Sequence, residues 1–257
     1  MKKFLQISNL LSVIFAIAAN AYVSTTGSLP DIRMISEQYG TLLNPATYAF
    51  SIWSLIYVGI FIFALYQARD LFSLDKRNTL PWRLSGWFIL ANTMNGLWTY
   101  VFISGYIGLS VAIISILLFS LMLLLWRLRI AVYDAGLSTI SLVWWPLMLY
   151  TGWVLVATVV NAATLLTALG ITISASAAAI VLIFLGGALS LLLQKRNVRL
   201  LVLASVWGIA AVAVAQYGIT PLVWITATIV SIFLVIQVSI HAYQNRDTNP
   251  FTKPRKN

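Results

Sequence analysis

The sequence predicts an all-α membrane protein, a polytopic bundle of about eight transmembrane helices. Two observations carry this. Eight apolar stretches divide the 257 residues, each approaching the ~20 residues that cross a bilayer. The basic residues also alternate between connections: of 16 Lys and Arg, only Arg33 falls in an odd-numbered one. The positive-inside rule then places both termini and every even connection on the cytoplasmic side. With 61% hydrophobic and 9% charged residues, a soluble domain of this length could not cover itself with polar surface.

In chain order, span one covers Phe4–Val23 and follows Lys2-Lys3. Its Ala19-Asn20-Ala21 also has the outline of a signal-peptide cleavage site, so retention and cleavage are both open; the length of the apolar run favours retention. An outer loop, Ser24–Ala46, leads to span two, Thr47–Tyr66. The connection Ala68–Ser85 carries four cations, and spans three and four are Gly86–Ile103 and Ile107–Trp126. Span five, Leu142–Thr167, contains Pro146, which can bend it. Span six, Ile171–Leu193, holds Gly186-Gly187, a helix-packing signal. In span seven, Leu200–Ala215, the small residues Ala204, Gly208, Ala211 and Ala215 share one narrow face suited to close packing. Span eight, Leu222–Ala242, precedes a basic tail at 244–257.

Several functions are hard to build from these residues. No Asp, Glu, Lys or Arg lies within a span away from its ends, which disfavours a carboxylate relay for ion-coupled transport. The chain has no Cys, and His241 is its only histidine, so thiolate chemistry and an imidazole metal site are excluded. The carboxylate pairs, Asp31 with Glu37 and Asp70 with Asp75, lie in loops and read as solvated charge. A net charge of +10 follows from topology and anionic headgroups, with no nucleic-acid partner implied. Trp82, Trp87, Trp126, Trp144 and Trp145 read as an interfacial belt.

Trp53, Trp98, Trp153 and Trp207 do not fit that belt. At 1.5 Å per residue, Trp53, Trp98 and Asn161 lie ~8–9 Å below the outer ends of spans two, three and five. Helical spacing groups Trp53 with Tyr57, Asn95 with Trp98, and Trp153 with Ala157 and Asn161 on single faces. Amides facing lipid would be costly, so these faces point inward. They either line an apolar pocket with a few neutral donors or tie helices together by hydrogen bonds within a solid bundle.

The same residues carry a resemblance. Trp53-Ser54-Leu55-Ile56-Tyr57, Asn95-Gly96-Leu97-Trp98 and Trp153-x-x-x-Ala157-x-x-x-Asn161 resemble, in order and spacing, motifs of the tryptophan-rich sensory protein family, also called TspO or translocator protein. The resemblance implies a five-helix core over residues 1–167, with three additional helices over 168–243. It also implies a pocket beneath the first loop for porphyrins, haem-like tetrapyrroles or sterols, lined by Trp53, Tyr57, Asn95, Trp98, Trp153, Ala157 and Asn161, with Pro45 at its loop. This chain departs from the family pattern in keeping one proline before span two, in Thr47 where a tryptophan is usual, and in Leu149 where a proline precedes Tyr150.

The expected function is a non-catalytic receptor or carrier for a planar hydrophobic ligand, with a stress or pigment role implied by the resemblance. No resident cofactor or metal is expected; a porphyrin or haem-like molecule would be the ligand. An uncoupled transporter of a small neutral solute is the alternative, and light-dependent porphyrin breakdown is an enzyme-like reading that rests on the resemblance alone. The expected partners are the bilayer and the ligand, with a homodimer also admitted. The expected location is a bacterial inner membrane.

Overall fold

The computed structural model describes residues 1–26, 32–72 and 78–246. Asp31, Asp75 and residues 247–257 of the basic tail lie outside them. Eight long helices correspond one to one with the eight spans: α1 (Lys2–Thr26), α2 (Ile52–Gln67), α3 (Trp87–Ile103), α4 (Ile107–Arg127), α5 (Trp145–Ala168), α6 (Ala175–Lys195), α7 (Arg199–Gln216) and α8 (Pro221–Gln244). Among the described residues, seven helical runs have 18 residues or more and the hydropathy of a bilayer crossing. The remaining helix, α3, has 17 residues, about 25 Å, at the lower limit for a crossing.

Helices α2, α1, α3, α4 and α5 form a ring in that order, closed by contacts between α5 and α2. Outside it, α7 packs on α5, α8 on α7, and α6 on α8. The small-residue face of α7 makes this docking possible. Ala204 and Ala211 are buried, and a Cβ at Gly208 would press on Val156. On the facing side, a Cβ at Gly152 would overlap the Leu201 carbonyl oxygen and lie 2.9 Å from Ala204 Cβ. The helices approach closely enough for Ser205 Oγ to donate to the Gly152 carbonyl at 3.0 Å. Gly186 serves the same purpose between α6 and α8, where a Cβ would sit 2.6 Å from Val230; Gly187 faces open space.

The stretch just before Pro146 departs from regular α-helix. A helical run begins at Leu137, widens into a π-helical turn over Ile140–Trp144, and continues as α5. Pro146 has no N–H to give to the preceding turn, and a π turn shifts the local pairing where an α-helical bond is lost.

The basic connections gather at one end. Lys2 pairs with Asp70, joining the N-terminus to the end of α2, and Arg83 Nη2 donates to the Leu128 carbonyl at 2.9 Å, joining the second connection to the fourth. Desolvation pushes the Asp70 carboxyl up, but bonds from Lys2, Asn78 and Gln6 outweigh it and hold the group below its ordinary range. Gln6 and Asn9 of α1 reach Gln67 of α2, Val13 and Ala16 are fully buried, and α1 is an integral wall of the ring.

The tryptophan belt needs one correction. Trp82, Trp126 and Trp145 are exposed, but Trp144 is 6% exposed and meets Tyr133 edge-on with ring centroids 5.3 Å apart. It is an internal wall at the basic end.

Candidate functional site

The outer loop contributes a short helix, Ile32–Tyr39, that buries Ile35 and Ser36 against α3 and α5. After it, Asn44 Nδ2 donates to the Ser36 carbonyl, the buried Pro45 turns the chain, and a 3₁₀ turn, Thr47–Ser51, leads into α2. This roof is fastened from outside the ring. Ala46 N donates to the Ala211 carbonyl of α7 at 3.0 Å, and Trp207 Nε1 donates to the Ala49 carbonyl at 3.0 Å. Trp207, which does not fit the interfacial belt, also meets Tyr48 edge-on at 5.3 Å.

Under the roof, Trp53 is the hub of an aromatic cluster. Its ring stacks on Tyr57 at 5.4 Å, tilts against Trp98 at 6.3 Å, and meets Tyr150 at 6.2 Å and Trp153 at 6.3 Å edge-on. Trp98 stacks in turn on Phe102 at 5.2 Å, and Phe50 meets Trp153 edge-on at 6.0 Å. Offset and edge-on pairs at these distances are favourable and hold the rings in fixed orientations.

The candidate residues divide between two cavities. A small one, about 30 Å³, is lined by Pro45, Trp98, Trp153, Ala157 and Asn161. A larger one, about 390 Å³, opens between α1 and α2 and is lined by Trp53, Tyr57, Asn20 and Arg33. Ile32 and Phe50 line both and partition them.

Asn95 lines neither cavity. Fully buried, its Oδ1 accepts from Tyr57 Oη at 3.1 Å and from Asn20 Nδ2 at 3.2 Å. Asn161 is also committed: its Oδ1 accepts from Trp98 Nε1 at 2.8 Å, and its Nδ2 donates to Ser110 Oγ at 3.0 Å. Both amides therefore orient aromatic side chains and tie helices together, as the hydrogen-bonding reading of the sequence expects. Asn95 Nδ2 and the indole N–H groups of Trp53 and Trp153 are buried without an acceptor among the described residues.

Sequence reasoning passed over Phe50, Ile32, Ser110 and Asn20 as site residues. Phe50 lies one helical turn before Trp53, and Ile32, Ile35 and Ser36 have the i, i+3, i+4 spacing of a one-faced helix, so both carried a usable signal. Ser110 and Asn20 become visible only once α4 and α1 are placed.

No curated protein and no solved structure matches the chain. The family model described as TSPO-like protein matches residues 6–240, a stretch that takes in the ring and reaches into α8. The chain is a member of the TSPO-like family.

Proposed function

We propose that this protein is a non-catalytic receptor or carrier whose ligand is planar and hydrophobic, of the porphyrin or tetrapyrrole class or sterol-like, bound beneath the outer loop helix. The observation that carries the reading is the pair of buried indole N–H groups of Trp53 and Trp153, set in a cluster that borders both cavities. A buried donor without a partner carries a desolvation cost of ~1–3 kcal/mol, which a ligand acceptor would relieve. The outer cavity is within the ~300–1,000 Å³ of small-molecule sites. The inner one has room only for water, so a ligand spanning both must displace Phe50 or Ile32. Arg33 at the outer cavity would meet an acidic substituent on such a ligand. In the same reading the basic end is cytoplasmic and the roofed end faces outward across a bacterial inner membrane.

Titration of the purified protein with protoporphyrin, followed by tryptophan fluorescence, tests this. Saturable quenching at micromolar ligand is expected, reduced about tenfold in affinity by Trp153→Phe, which removes one donor and keeps an apolar ring. A flat response up to solubility would remove the tetrapyrrole reading and favour an uncoupled transporter of a small solute.

A further inference from the structure

At the basic end lies a cavity of about 790 Å³, larger than either at the outer end and, among the described residues, sharing no lining residue with them. Four separate parts of the chain meet there: the connection after α4, the π turn and first residues of α5, the start of α7 and the end of α8. It exists only because α7 and α8 dock on the ring. Among the described residues its charged lining is Arg199, Arg246 and Asp134, a net excess of one positive charge.

Arg199 is the informative group. It is half-buried, its Nε donates to Asn197 Oδ1, and among the described residues no carboxylate pairs with it. A partly desolvated guanidinium retains donors suited to a planar or tetrahedral oxyanion, and a phosphate can take two of them at once. Arg246, exposed and lying over the Tyr243 ring at 4.6 Å, supplies a second cation on the facing helix.

The remaining walls say what else the ligand carries. Trp145 and Leu203 line the cavity yet are 39% and 40% exposed, so the apolar lip continues onto the outer surface of α5 and α7. That surface faces hydrocarbon in a bilayer, and Leu203 sits about 6 Å along α7 from Arg199. Buried Trp144 closes the back. A site with cations at the headgroup end and an apolar lip one helical turn deeper matches a phosphate ester with an attached acyl chain. Basic cavities between helices on the positively charged side of a membrane protein are a known setting for anionic lipids.

We propose that this cavity binds the phosphate of an anionic phospholipid from the leaflet on the basic side, at the seam between the ring and the three outer helices. The inference is independent of any ligand at the outer end. Full-length protein in mild detergent would be titrated with dioleoylphosphatidylglycerol and with dioleoylphosphatidylcholine, with bound lipid counted by native mass spectrometry. The expected result is about tenfold tighter retention of the anionic lipid. Arg199→Gln should abolish that preference, while Arg69→Gln, a cation of the same end outside the cavity, should preserve it. Arg246→Gln, at an exposed position, provides the same reading should the Arg199 variant not be recovered folded. Equal binding of the two lipids, or a preference that survives both cavity substitutions, would overturn the proposal. Displacement of the lipid by millimolar inorganic phosphate would also overturn it, by showing a site for free anion.

Discussion

Asn161 shows how a single buried amide can order an aromatic cluster. Its two polar atoms are fully used, one by Trp98 and one by Ser110, so three helices converge on one buried side chain. Replacing it with Leu would leave the Trp98 indole N–H buried without an acceptor and remove the bond to Ser110, at a cost of ~1–3 kcal/mol. The expected outcome is a lower unfolding temperature in detergent together with a changed Trp98 emission, read by comparing the variant with Asn161→Leu made in a Trp98→Phe background. If the two substitutions add without interaction, the bond does not hold Trp98. The residue types and depth of this arrangement were legible in the sequence, because helical spacing alone places Trp53, Trp98 and Asn161 at one level. Which atoms pair was not, since Ser110 is remote in sequence and adjacent only in the ring.

At the scale of helices, the small-residue face of α7 was legible and its partner was not. A run of Ala and Gly three or four apart announces a close contact, but nothing in the sequence of α5 singles out Gly152 as the position that meets it. A β-carbon there would overlap backbone rather than a movable side chain, so relief requires the helices to separate. Gly152→Ala is therefore expected to destabilise the protein by about 2 kcal/mol or more, through lost packing and a weakened Ser205 bond. Gly187→Ala, which meets nothing, should be neutral or slightly stabilising because alanine favours the helix. Thermal unfolding of the pair in one detergent distinguishes them, and equal effects would contradict a close contact at Gly152. The same limit explains Trp144: its neighbour Trp145 is exposed as interfacial aromatics are, while Trp144, at the end of the π turn, is buried against Tyr133 of the preceding connection.

For the whole molecule, the charge alternation fixed the order of crossings, and the structure brings the basic connections to one end. Residues 1–170 contain every candidate residue of the outer site, which by sequence makes the last three helices look dispensable. The contacts argue otherwise. The roof bonds to α7 through Ala46 and Ala49, and Gly208 packs against Trp153 as well as Val156. A chain ending at residue 170 is expected to insert, since lipid can cover the exposed face of α5. Its protoporphyrin affinity should fall about tenfold or more as the roof loosens. Unchanged affinity in the shortened protein would mean that the ring alone organises the site.

Helix α7 reaches both ends of the molecule. Arg199 stands at its basic end, and the Ala211 carbonyl that holds the roof lies twelve residues on, ~18 Å along one continuous helix. A rigid displacement of α7 at one end would be carried along the helix to the other. Should both ends bind as proposed, the anionic-lipid content of the surrounding membrane becomes a variable in the outer site's dissociation constant, and thermodynamic reciprocity requires the outer ligand to change lipid affinity by the same factor.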